Sequence, residues 1–145
     1  MVWKILLGAC PRALVPFVKK MSDDTDIEES TVHYALLIYT DPSAQDGDTD
    51  EQREAVTAEY LAIRDDPRVW GGGHLQPAEM ASTVRVADGS ALVTDGPFAD
   101  TKEVMAGYYL LEADDLDGAL EVAARVPAAR MGGGVEVRPF LMPPH

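Results

Sequence analysis

The chain is poor in cysteine and in basic residues, and it has no long hydrophobic run. Its single cysteine, Cys10, excludes an intramolecular disulfide and favours a reducing, cytoplasmic location. Only 12 Lys and Arg stand against 25 Asp and Glu, and the net charge of −13 argues against direct binding of nucleic acid. No apolar stretch approaches the roughly 18 residues that a membrane span requires, so no membrane association is predicted.

Sequence motifs of several common kinds of site are also missing. No group of His, Cys and Asp has the spacing of metal ligands, and no Gly-x-Ser-x-Gly elbow of a serine hydrolase occurs. The run Gly71-Gly72-Gly73 is not followed by the Lys-Ser or Lys-Thr pair of a phosphate-binding loop. We therefore predict neither a metal nor a cofactor.

The first thirty residues differ from the remainder in their charge. Positions 1–20 carry four cations and no acid, whereas positions 21–30 carry five acids and no base. A lipoprotein signal is one interpretation, but the apolar run before Cys10 is shorter than such signals need. We interpret residues 1–30 as a disordered or non-native extension, with Met21 as an alternative start, and residues 31–145 as one domain.

The first half of this domain predicts a strand, a helix and a second strand. Residues 33–39 are apolar on both alternating faces, which is typical of a central strand covered on two sides. Thr49 and Gln52 form a capping box at the start of a helix, which ends at Asp65-Asp66-Pro67. The triple glycine that follows predicts a bulge or a close backbone approach within a strand.

A hairpin follows, with Asp88-Gly89 as its type I′ turn. Pairing outward from this turn places Val86 opposite Ala91 and Val84 opposite Val93. Both pairs lie on one apolar face, which supports the register.

The second half repeats the order of the first. Residues 107–112 predict a strand that is again apolar on both faces, and Asp114 opens a helix. A last strand at residues 135–138 is predicted to lie at an edge or to end at Pro139. The helix is predicted to bury a stripe at i, i+3, i+4, i+7 and i+8, namely Leu116, Ala119, Leu120, Ala123 and Ala124.

The order βαβ, hairpin, βαβ predicts an α+β, ferredoxin-like domain with an antiparallel sheet and both helices on one face. The strands at residues 33–39 and 107–111 are apolar on both faces, so the other face also needs cover. A second copy of the chain is the simplest cover. We therefore predict a homodimer whose sheets pack face to face.

The loop between the hairpin and the next strand, placed at positions 95–105, is long enough to be a lid or a binding loop. Asp95 opens it. A turn aspartate normally accepts a hydrogen bond from the backbone N–H two residues later, but that residue is Pro97, which has none. The carboxylate of Asp95 is thus available for another role.

The segments 93–103, 107–111 and 114–120 closely resemble the DGPF branch of the YCII-related proteins, as do the segments 34–39 and 134–139. The resemblance covers roughly residues 33–140. It implies a ferredoxin-like subunit that forms a dimeric α/β barrel. Many members are encoded beside extracytoplasmic-function sigma factors, and the resemblance to the wider group implies a catalytic His–Asp pair.

The sequence departs from that wider group where its histidine is expected. The corresponding segment of the first helix, residues 58–61, contains none. Asp95 is the Asp of the DGPF string, and His74 is the histidine that precedes the hairpin. We predict that Asp95 and His74 are the acid–base pair, because a carboxylate can orient an imidazole that titrates near neutral pH. The alternative is a turn-capping Asp95 and a His74 that is merely a polar strand residue.

Four further side chains are candidates for substrate binding. Tyr60 and Tyr108 are expected to line a cavity or the core, Lys102 to supply charge, and Phe98 to fix the loop on an apolar surface. The predicted function is the binding of a small molecule near this loop, with possible hydrolase-like or lyase-like chemistry. The alternative is a non-catalytic ligand-binding or regulatory protein associated with a sigma factor.

Overall fold

The computed structural model describes residues 31–45 and 47–144, so the interpretations of residues 1–30 lie outside the described residues. The strands and helices follow the predicted order. Their bounds are β1 Val32–Thr40, α1 Asp50–Arg64, β2 Val69–His74, β3 Ser82–Ala87, β4 Ser90–Asp95, β5 Val104–Ala113, α2 Leu116–Arg125 and β6 Gly134–Pro139.

Four strands form one antiparallel sheet in the order β2-β5-β1-β6. This is the order of a ferredoxin-like domain, in which the first and third strands of the repeat lie in the centre. The α+β, ferredoxin-like prediction is therefore confirmed. The hairpin β3–β4 lies outside this sheet and forms a two-stranded sheet of its own.

The helix cap, the hairpin turn and the strand register that were predicted from local sequence are present in the structure. The Thr49 side chain accepts a hydrogen bond from the Gln52 backbone, and the Gln52 side chain accepts one from the Thr49 backbone, which confirms the capping box. Asp88 and Gly89 have φ of 50° and 75°, as a type I′ turn requires. The predicted pairing of Val86 with Ala91 and of Val84 with Val93 is confirmed.

The loop after the hairpin is shorter than predicted. β4 extends through Asp95 and β5 already begins at Val104, so the loop spans residues 96–103. The Gly96 N–H donates to the Ala81 carbonyl, and its own carbonyl accepts from the Thr83 hydroxyl. These bonds prolong the hairpin past Thr94 and make Asp95 a strand residue.

The core lies between the sheet and the two helices. Alternate residues of the central strands face it, and they are Tyr34, Leu36, Ile38, Tyr109, Leu111 and Ala113. The predicted stripe of α2 is partly wrong, because Leu116, Leu120 and Ala124 are exposed while Val122 is fully buried. The helix turns its small residues Ala119 and Ala123 to the sheet, so its backbone lies close and the longer leucines flank the contact.

The opposite face of the sheet has no helix on it. Ala35, Leu37 and Tyr39 of β1 point to this open face and are half-buried, as are Tyr108 and Leu110 of β5. This apolar surface follows from the two-sided pattern of the central strands.

Candidate functional site

A cavity of about 580 Å³ lies between α1, the edge strand β2 and the helix-facing side of β1 and β5. Its lining on α1 includes Arg53, Thr57, Leu61 and Arg64, all of which are exposed, so the cavity opens to solvent. Volumes of 300–1,000 Å³ are typical of small-molecule sites.

Glycines form much of the cavity floor. A Cβ on Gly72 would lie 2.6 Å from the Tyr108 carbonyl oxygen, and one on Gly107 would lie 2.7 Å from the Gly73 carbonyl oxygen. Gly72 also has a φ of +154°, which side chains rarely adopt. The close approach of β2 and β5 thus requires glycine, and the floor there is bare backbone. The predicted close approach at the triple glycine is confirmed.

The C-terminal half of α1, which forms one wall of the cavity, is anchored to the rest of the domain. Ile63 is only 2% exposed and belongs to the core. The Tyr109 hydroxyl donates to the Tyr60 carbonyl at 2.8 Å, and Arg130 forms an ion pair with Glu59 at 2.7 Å. The N-terminal half is exposed apart from Val56, so it stands over the cavity with less support.

A carboxylate just after α1 ties this helix to the rest of the domain. Asp66 is 7% exposed and accepts hydrogen bonds from the Arg68 backbone, the Arg68 guanidinium and Arg125 of α2. The Arg68 side chain contributes most to holding the pKa of Asp66 far below its ordinary value. This network fixes the end of α1 against α2 and β2.

The charged groups around the cavity favour anions. Among the described lining residues Arg53 and Arg64 are cationic, and Asp48 is the carboxylate. Burial raises the pKa of both Tyr60 and Tyr109, so these phenols stay protonated at neutral pH. The lining therefore combines hydrogen-bond donors with positive charge in a chain whose net charge is −13.

His74 is the predicted catalytic residue that the structure places at this cavity. It is the last residue of β2, and it pairs with Gly107 in the register with β5. Because side chains alternate along a strand, His74 lies on the same side as Gly72, which faces α1. An imidazole there can donate, accept or carry a proton beside a bound molecule.

Asp95 does not line this cavity. It is an exposed residue at the end of β4, opposite Ser82, in the separate hairpin sheet. Within residues 31–45 and 47–144, its carboxylate makes no hydrogen bond or ion pair. The cavity thus brings His74 together with other groups but not with Asp95.

Of the four predicted substrate-binding residues, two line the cavity and two do not. Tyr60 and Tyr108 line the cavity. Tyr108 contributes its backbone carbonyl oxygen beside Gly72, whereas its ring lies beside Gly73. Lys102 forms an ion pair with Asp41 at the end of β1, with its Nζ 3.0 Å from the carboxylate. Phe98 is 73% exposed, so its expected insertion into an apolar surface is wrong.

Two interactions explain the positions of these loop residues. The guanidinium of Arg85 lies 4.8 Å from the centre of the Phe98 ring, which holds the ring against the hairpin rather than the core. The Lys102–Asp41 pair connects the loop at residues 96–103 to β1. Loop and cavity are therefore distinct features of the surface.

Sequence reasoning found Tyr60 but missed the two arginines and the threonine with which α1 lines the cavity. Arg53, Thr57 and Arg64 follow the spacing i, i+4 and i+11, so they share a side of the helix next to its apolar face. The distribution of charge on α1 could have revealed them, because Arg53 and Arg64 lie on the cavity side of the helix and its acidic residues lie mostly on other sides.

No three His, Cys, Asp or Glu side chains of the described residues converge to hold a metal ion. None of the helices in that part of the chain is long and apolar enough to cross a membrane.

Comparison with known proteins agrees with this architecture. The family model described as "YCII-related domain" matches residues 32–141. An uncharacterised protein of Rhizobium meliloti (strain 1021) is 34% identical over 114 residues, which cover 75% of this chain and 92% of the relative.

Proposed function

Since the chain belongs to the YCII-related domain family, we propose that it binds a small organic molecule in the cavity between α1 and the sheet, with His74 as the acid–base group. The observation that carries this proposal is a cavity of about 580 Å³ that has a histidine in its lining. Its mixture of aromatic, aliphatic and a few polar groups is typical of small-molecule sites.

His74 supplies proton transfer in the catalytic form of this proposal. In a lyase-type step the imidazole accepts a proton from a substrate carbon, the electrons of that C–H bond form a double bond to the neighbouring carbon, and the leaving group departs from that carbon with its bonding electron pair. The imidazolium then gives its proton to the leaving group or to water. The lining hydroxyls and arginines would orient the substrate for this step.

The pairing of His74 with Asp95 stays a prediction. Asp95→Asn tests it directly, because an orienting carboxylate is needed for the activity of its histidine. If His74→Ala abolishes turnover while Asp95→Asn leaves it intact, His74 acts without Asp95.

The binding site is tested with a matched pair of proteins. We expect aromatic and carboxylic-acid fragments to bind the wild-type chain in ligand-detected NMR and to raise its Tm. Thr57→Trp, which places an indole over the cavity, should remove these effects without unfolding the protein. Equal binding to both proteins would overturn the proposed site.

The same fragments distinguish catalysis from binding. Following a bound fragment by NMR over hours shows whether it is consumed, and the catalytic form predicts consumption by the wild type but not by His74→Ala. Binding without consumption of any ligand would favour the non-catalytic, regulatory alternative. An association with a sigma factor stays a prediction of the family resemblance.

A second copy of the chain is proposed to cover the open face of the sheet. The apolar side chains of Leu37, Tyr39 and Leu110 on this face support the proposal, because such surface is rarely left in water. Light scattering at micromolar concentration should give twice the chain mass, and Leu37→Glu should halve it. A monomeric wild type would refute the dimer.

A further inference from the structure

We propose that the ligand of this cavity is an organic anion, and that Arg64 binds its acidic group. This inference rests on the proposed function, because it names the chemical class of that ligand. Its starting point is the contrast between an acidic chain, with a net charge of −13, and a cavity lined by Arg53, Arg64 and His74.

Arg64 is less engaged than the described arginines near the core. Arg68 and Arg125 both donate to Asp66, and one terminal nitrogen of Arg130 donates to both carboxylate oxygens of Glu59. By contrast, the closest acid to Arg64 is its neighbour Asp65, whose oxygen lies 3.7 Å from Nε and beyond hydrogen-bond distance. The guanidinium of Arg64 therefore keeps donors for a ligand.

Arg64 is favoured over Arg53 by what surrounds each residue. Eleven residues separate them, which is three helical turns and about 16 Å, so they lie at opposite ends of the same helix side. Arg53 donates to Asp50 at 3.1 Å, and Asp48 also lines the cavity at that end of α1. These carboxylates oppose an anion at Arg53.

The surroundings of Arg64 suit an anion with an apolar body. Leu61 and Tyr60 precede it on α1, and Tyr109 of β5 also lines the cavity. Guanidinium groups bind carboxylates in a planar, bidentate way. An aromatic or short aliphatic carboxylate thus fits, with its acid at Arg64 and its body towards Gly72 and His74.

The experiment compares acids with their uncharged amides. Benzoate, phenylacetate and 3-phenylpropanoate are titrated beside the three matching amides into the full chain, with binding followed by ligand-detected NMR. At least one acid should bind about tenfold tighter than its amide, since a charge-assisted contact has roughly that effect. Added salt should weaken the binding of the acid but not that of the amide.

Two matched variants locate the contact. Arg64→Gln should lower the affinity of the acid about tenfold and change that of the amide less than about twofold, whereas Arg53→Gln should weaken the acid less than about threefold. An equal loss in both variants, or no loss in Arg64→Gln, would overturn the assignment of Arg64.

The result also separates this inference from the function on which it rests. If acids and amides bind equally and Thr57→Trp abolishes both, the cavity is a ligand site but the anion preference is refuted. If no acid or amide binds the wild type, the anion inference and the proposed binding function both fail.

Discussion

Replacing Asp66 with asparagine should loosen α1, because this carboxylate holds the end of the helix. The substitution removes the negative charge and one of the two acceptor oxygens, which now bond Arg68 and Arg125 at 2.7–3.0 Å. A hydrogen bond to a charged group contributes about 1.5–3 kcal/mol. Both arginines are partly exposed, so water can replace some of the loss, and we expect a cost of about 2 kcal/mol.

This change should be measurable by urea unfolding at pH 7 and by thermal unfolding. For a domain of this size, a loss of about 2 kcal/mol corresponds to a fall in Tm of roughly 8 °C. Glu121→Gln is the matched control, since Glu121 is 69% exposed and lies 3.8 Å from the same Arg68. It should change the free energy of unfolding by less than about 0.5 kcal/mol.

The effect should also depend on pH in a defined direction. Folding lowers the pKa of Asp66, so its stabilisation is complete above the unfolded pKa of about 3.9 and is lost as the pH falls towards the folded value. The difference between wild type and Asp66→Asn should therefore shrink by roughly 1 kcal/mol between pH 7 and pH 3. A difference that is absent at pH 7, or that stays constant down to pH 3, would refute the role assigned to Asp66.

Two other substitutions test the cavity floor and the loop. Gly72→Ala should destabilise the fold by about 3 kcal/mol, because its Cβ would lie 2.6 Å from the Tyr108 carbonyl oxygen, whereas Gly73→Ala meets only ordinary contacts and should cost under about 1 kcal/mol in urea unfolding. Lys102→Gln should speed proteolytic cleavage at residues 96–103 and leave Tm unchanged, since it removes the exposed pair with Asp41 that connects this loop to β1; equal cleavage rates would contradict that connection.

The parts of the fold that local chemistry determines could be predicted from the sequence. The Thr49–Gln52 capping box and the Asp88–Gly89 turn are determined by neighbouring residues, so their geometry follows from the residue types alone. The two-sided apolar pattern of β1 likewise predicted its central place in the sheet.

The buried side of α2 and the position of Phe98 depended on contacts between distant residues. Periodicity correctly favoured Ala119 and Ala123 for the core, but it also favoured Leu116 and Leu120, which are exposed, and it left out the buried Val122. A sequence pattern contains the size of a side chain but not the distance between helix and sheet. The contact of the Phe98 ring with Arg85 likewise depends on how the loop folds back on the hairpin, which the sequence pattern does not contain.

The candidate site was predicted only in part. His74, Tyr60 and Tyr108 do line the cavity, whereas the predicted residues at and after the end of β4, namely Asp95, Phe98 and Lys102, do not. Arg64 was missed because its role depends on the space below the helix. That space exists because Gly72 of β2 and Gly107 of β5 leave the sheet without side chains under α1, which no charge pattern indicates.

The glycine floor also has a consequence for how ligand preference can change over time. Backbone atoms do not vary with residue type, and the clash at Gly72 prevents side chains from being added there. New preferences can instead arise on α1, whose cavity-lining positions such as Thr57 are exposed. One helix can diversify while the sheet stays fixed, so a library of variants restricted to α1 should yield changed ligand selectivity in proteins that remain folded.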